Sequence, residues 1–175
     1  MLERAEQVLQ KMEQILSPAL QEPDWHAAIA FRYRKQGNVM GWSYGQLQPV
    51  QHIGPMDLET LQAIDTQKQR LFQNTSQFVA GKTANNVLLT GARGTGKSSL
   101  VRACLRHFSS QGLRLIEVEK KDLIDLPEIV ALLANRPEKF IVYCDDLSFE
   151  EGESEYKALK SVLIEIGRAS CRERV

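Results

Sequence analysis

Two short stretches carry residue types that could do chemistry. The first is Gly91-Ala92-Arg93-Gly94-Thr95-Gly96-Lys97-Ser98, followed by Ser99, in which three glycines, a lysine and a hydroxyl fall at the spacing of a P-loop. Glycines let the backbone curl until successive N–H groups point at one anion, and a helix starting there adds the positive end of its dipole. Phosphate is what fits such a cradle. Lys97 is then expected to reach β- and γ-phosphate oxygens as a mobile point charge, with the Ser98 hydroxyl placed to ligate a bridging Mg²⁺. The second stretch is Asp145-Asp146, two carboxylates ending the apolar run Phe140-Ile141-Val142-Tyr143-Cys144. Ligands of α/β sheets bind at the carboxyl ends of the strands, so Asp145 is expected to hold the Mg²⁺, directly or through water, and Asp146 to orient or polarise an attacking water. Without the loop, the same pair could be no more than a turn cap.

These groups need elements to hold them. Asn86-Val87-Leu88-Leu89-Thr90 reads as a strand entering the loop, and Leu100, Val101, Cys104, Leu105 and Phe108 fall on one helical face running to about Ser110. Gly112 turns the chain into a strand over 113–118. A helix opened by Asp125, Pro127 and Glu128 follows, carries Ile129, Val130, Leu132 and Leu133, and is closed by Pro137. Strand, helix, strand, helix, strand predicts a parallel sheet covered on both faces, a three-layer αβα arrangement. Upstream, residues 57 to about 80 read as one helix stopped by Gly81.

The first 55 residues read as a mostly helical or irregular extension preceding a nucleotide-binding domain over 56–165. Residues 2–17 have an amphipathic pattern broken by Pro18 and Pro23, which fits a helix packed on its own domain or one that binds a partner or a second copy. Residues 24–33 read as helical at first, and Gly37, Gly41, Gly45 and Pro49 mark an irregular stretch. Trp25, Phe31, Arg32, Tyr33, Arg34, Trp42 and Tyr44 interleave aromatic and basic groups. Two uses are open: stacking of nucleic-acid bases, or anchoring of the extension to its neighbour.

Composition bounds the rest. With 175 residues, 43% of them apolar, the chain can bury a core for one domain plus an extension. A formal charge of zero gives no bulk electrostatic support for nucleic-acid or membrane-surface binding. No apolar segment is long enough to cross a bilayer, and Glu3, Glu6 and Glu13 stand where a leader would be basic, so a cytoplasmic location is expected. Cys104, Cys144 and Cys171 are too scattered for a disulfide framework, and His26, His52 and His107 lack metal-ligand spacing.

With these residues in view, the chain resembles the AAA+ ATPases. The stretches 74–78, 84–89, 91–99, 112–118, 144–150 and 156–163 are similar, more closely, to an uncharacterised bacterial family of predicted AAA+ ATP-binding proteins, catalogued as a domain of unknown function. The resemblance covers about residues 25–163. It implies a partial AAA+ type P-loop domain that binds ATP with Mg²⁺ and hydrolyses it, acting on a protein client or nucleic acid that it does not name, with no membrane partner and able to form a homo-oligomer. It also sets Leu61-Gln62-Ala63-Ile64-Asp65 where such proteins flank the adenine, with Ile64 as the contact and Ala63 where many relatives carry glycine. Asp146 stands where the wider superfamily has glutamate, one methylene longer. Alternative readings are an ATP-dependent binding switch with little turnover and a P-loop kinase; a GTPase lacks its Asn-Lys-x-Asp segment here.

Residues 166–175 do not continue the family pattern and resemble the translation of a widely used sequencing adapter. The expectation is therefore that natural protein stops near Leu163 to Glu165, short of the strand that AAA+ order would insert between the loop strand and the Asp145 strand, and that such a chain is unstable and inactive alone. Without three arginines and one glutamate of that tail, 22 basic and 22 acidic residues become 19 and 21.

Overall fold

The computed structural model describes residues 20–37, 43–54, 58–147, 154, 157 and 159–162. The predicted helix over 2–17, Trp42 and the tail at 166–175 lie outside the described residues. Among the described residues four strands form one mixed sheet in the order β2-β1-β3-β4: β1 is Ala30–Gly37, β2 Ser43–Pro49, β3 Leu113–Glu117 and β4 Lys139–Tyr143. β1 pairs antiparallel with β2 and parallel with β3, and β3 pairs parallel with β4. Helices cover it, α1 over Asp65–Val79, α2 over Lys97–Phe108 and α3 over Leu126–Leu133.

Side-chain alternation along the strands explains the layers. Leu113 and Leu115 of β3, with Ala30 of β1, pack against Val101, Leu105 and Phe108 of α2 and against Leu71, Phe72 and Phe78 of α1. Ile116, with Phe31 and Tyr33 of β1, faces the other way onto Trp25, Leu123 and Ile129. Both faces of the sheet are thus buried, with α1 and α2 on one side and α3 with a 3₁₀ segment, Lys120–Asp125, on the other.

The N-terminal part departs from the helical expectation. Residues 30–37 and 43–49 form a β-hairpin, because alternate positions Phe31, Tyr33 and Leu47 supply one fully buried face while Arg32, Arg34 and Gln46 do not. Period two outweighs the short helical pattern that precedes it. Trp25, Phe31 and Tyr33 are almost wholly buried, which leaves them no face for stacking bases and makes them anchors. Trp25 meets Phe31 and Phe140 edge-on, at centroid distances of 4.9 and 4.8 Å.

Two further expectations need correcting. Asn86 to Thr90 is not in the sheet: no strand among the described residues pairs with it, and without a ladder partner an apolar run does not become a strand. Val87 and Leu88 are accordingly 49% and 75% exposed. The single helix expected over 57–80 is broken instead, a 3₁₀ turn at Leu58–Thr60 giving way to α1 at Asp65, with Ala63 at φ 61° in the left-handed region between them. Asp125 also does not cap α3 with its side chain. Its carboxylate accepts the Tyr33 hydroxyl at 3.0 Å and pairs with Lys35 at 2.8 Å, tying the hairpin to the lower layer.

Two tests follow from this packing. Gly45 of β2 lies against the Tyr33 ring, and a Cβ there would overlap it. Tyr33 is buried and bonded to Asp125, so Gly45→Ala is expected to lower stability by about 1–3 kcal/mol, the usual cost of overpacking, in urea unfolding. Burial also raises the Asp122 carboxyl above the ordinary carboxylate range, with Lys121 pulling the other way. The folded protein therefore holds that proton more tightly than the unfolded chain, and the associated stability is full below the unfolded value and lost as pH rises through the folded one. An Asp122→Asn protein should gain on the wild type in urea midpoint as pH rises from the ordinary carboxylate value through the raised one; a constant difference would refute the assignment.

Candidate functional site

The cleft is built at the carboxyl edge of the sheet. Gly91, Gly94 and Gly96 have φ of 146°, 84° and 83°, values that side chains disfavour, so the loop reverses direction at three points where only glycine is at ease. Gly96 is the N-cap of α2 and no side chain caps that helix end. The turn at Arg93-Gly94 directs the Thr95 amide back at Ala92, while among the described residues the backbone amides of Arg93, Gly94 and Gly96 have no backbone partner. The loop's inner edge is tied instead through its carbonyls. Thr95 Oγ1 donates to Ala92 O at 2.9 Å, and Lys97 Nζ donates to both Gly91 O and Ala92 O at 2.8 Å.

Ser98 and Asp145 meet. The Ser98 hydroxyl donates to Asp145 Oδ2 at 3.0 Å, joining the first turn of α2 to the residue two past the end of β4. The other oxygen, Oδ1, accepts the Asp146 N–H at 3.1 Å, while Asp146 itself sits at φ 52°, in the left-handed region that aspartate tolerates better than most side chains. Both carboxylates are exposed at the cleft mouth. Gly91 to Ser98, Asp145 and Asp146 are therefore gathered at one edge of the fold, with Arg93 exposed on the loop and Ser99 half-buried on α2.

Ile64 is the N-cap of α1, its carbonyl accepting the Lys68 N–H at 2.8 Å, and Leu61 Cδ2 would stand 3.7 Å from a Cβ on Gly96.

Sequence reasoning missed Tyr143. Its hydroxyl donates to Ser98 Oγ at 2.9 Å, and its pairing register sets it level with Glu117 of β3, which is level with Arg32 of β1. All three residues point to the α2 side of the sheet. Glu117 accepts Arg32 Nε at 3.0 Å and lies 3.5 Å from Arg102 Nη2, one helical turn beyond Ser98. The signal was available: Tyr143 carries the one polar side-chain tip in the run Phe140 to Tyr143 and lies two residues before Asp145, on the same strand face. Burial raises its phenol above the ordinary tyrosine range, with Ser98 pulling the other way and the neighbouring Asp145 carboxylate adding to the rise, so the hydroxyl keeps its proton. A cleft of about 280 Å³ opens beside it, lined by Arg32, Arg102, Glu117, Lys120, Tyr143 and Asp145.

The donor set fits Mg²⁺. Among the described residues no group of three or more His, Cys, Asp or Glu gathers to hold a metal, so protein ligation here would come from one hydroxyl and one carboxylate. Those are hard oxygens, and Mg²⁺ takes few protein ligands because it keeps several waters. Burial pushes the thiols of Cys104 and Cys144 up to about 11, which holds both protonated and makes them poor nucleophiles at neutral pH. Among the described residues no helix is long and apolar enough to cross a membrane.

No curated protein and no solved structure matches the chain. One protein family does, over residues 26–167, a span that takes in the hairpin, the loop and both aspartates. The chain belongs to that family, described as Protein of unknown function (DUF815).

Proposed function

We propose that this protein is an AAA+ type P-loop ATPase, binding ATP with Mg²⁺ at the Gly91–Ser98 loop and hydrolysing it against Asp145 and Asp146. The observation that carries the reading is the 3.0 Å bond from Ser98 to Asp145, because two residues distant in sequence meet at the mouth of a glycine loop. A mere turn cap has no reason to reach the start of another helix. The amides of Arg93, Gly94 and Gly96, which have no backbone partner among the described residues, and the end of α2 that no side chain caps support an anion cradle beside the pair.

Within this reading the loop amides bind phosphate oxygens, and Lys97 exchanges its two carbonyl partners for the phosphate, a stronger acceptor because it is charged. Ser98 and Asp145 hold Mg²⁺, which when bound offsets charge on the phosphate oxygens. Asp146, exposed and next in the chain, takes or orients the water proton. The Asp145 and Asp146 side chains thus divide the work between metal and water.

Titration of a fluorescent ATP analogue with and without Mg²⁺, together with phosphate release, tests this. Lys97→Ala should weaken nucleotide binding at least about tenfold, the scale of a lost charge-assisted contact. Asp146→Asn should keep binding and lose turnover by about 10²-fold or more. Magnesium-dependent binding with negligible wild-type turnover would instead identify a nucleotide-dependent switch, and no such binding would overturn the proposal.

A further inference from the structure

The Ser98 hydroxyl has one proton and two lone pairs. Its proton goes to Asp145 Oδ2 at 3.0 Å and one lone pair accepts the Tyr143 hydroxyl at 2.9 Å, so one lone pair is left over. A serine with a single partner can rotate its hydroxyl to suit whatever approaches, whereas this one is held from two sides. Both holds come from β4 and its end, and they act on the first turn of α2. Tyr143 is itself fixed, since its backbone is paired with Glu117 of β3 and its ring is half-buried against the α2 side of the sheet.

We infer that Tyr143 is a positioning residue for metal binding: by donating to Ser98 Oγ it selects which lone pair the hydroxyl offers to Mg²⁺. This rests on the nucleotide-binding reading above. Tyr143 would not touch the nucleotide, so the loop amides and Lys97 grip the phosphates equally well without it. What its hydroxyl changes is the orientation of one ligand, and hence the affinity for the metal. Losing that bond permits the Ser98 hydroxyl to turn, and its lone pairs then spend part of their time directed away from the cation.

The experiment is Mg²⁺ titration of the complex with a fluorescent ATP analogue, compared with analogue binding in excess chelator. Tyr143→Phe, which keeps the ring, should raise the Mg²⁺ concentration for half-saturation about three- to tenfold, the scale of one hydrogen bond, while metal-free binding stays unchanged. In a Ser98→Ala background the same substitution should do nothing further, because its target is gone. Should Tyr143→Phe fail to melt cooperatively, Tyr143→Met, which fills irregular space, is read in the same way. Equal losses with and without metal, an unaltered Mg²⁺ requirement, or an additive effect on Ser98→Ala would each overturn the inference with nucleotide binding intact. A wild-type protein that shows no Mg²⁺ dependence at all would overturn the underlying reading as well.

Discussion

The cleft depends on the register of β3 against β4. Parallel pairing sets Glu117 opposite Tyr143, so the strand face that carries Leu113 and Leu115 ends in a polar row just where the apolar contacts with α2 run out. Register is strongly specified here because Ile116 and Leu115 are both fully buried, on opposite faces. Slipping β3 by one residue would send Leu115 to the Trp25 side and Ile116 to the α2 side, and slipping β4 would turn Tyr143 away from Ser98. Burial on both faces is thus what aims the site, and the polar groups contribute orientation rather than bulk stability.

The hairpin completes that edge. β1 continues past Arg32, the last residue it pairs with β3, and β2 supports the projecting part. Arg32 then reaches across to Glu117, and Glu117 also faces Arg102 on the helix that begins with Lys97 and Ser98. Arg32 and Arg102 side chains are 41% and 43% exposed, so each contact is worth little as stability, about 1 kcal/mol or less. Their effect is geometric: two cations converge on one carboxylate that is only 14% exposed and fix how α2 sits over the sheet. The residues read from sequence as an appendage are structurally part of the sheet that bears the site.

Local signals and long-range pairing differ in how they can be read from a sequence. The glycine loop, α2, β3, α3 and β4 were legible within a residue or two, because each is defined by its own period and punctuated by glycine or proline. Asp145 was legible for the same reason, as the first charge after an apolar run. The hairpin was not, since Phe31, Tyr33 and Leu47 read as a buried face only once Ile116 and Ile129 are known to lie against them. Tyr143 was missed because its role depends on a partner far along the chain. Asn86 to Thr90 failed in the opposite sense: its β propensity is plain, but pairing is a property of two segments and one of them was assumed.

The approach to the loop is nevertheless held, by side chains where a ladder would otherwise act. Asn74 of α1 donates through Nδ2 to Asn85 O at 2.8 Å and accepts the Asn85 N–H on Oδ1 at 2.9 Å, the same two-bond exchange that a strand neighbour makes with one residue of its partner. Four residues on, Leu89 is half-buried against the α2 core, with Val87 and Leu88 between them left to solvent. A segment pinned at Asn85 and Leu89 enters Gly91 in a defined direction even though its middle is unpaired. Because the clamp is on α1 and the exit of the loop is α2, packing between those two helices sets the span across which the glycines must turn, and Phe72 against Phe108, with ring centroids 5.0 Å apart, sits in that contact. The shape of the loop is therefore imposed from the helical layer, while its chemistry is completed from the sheet.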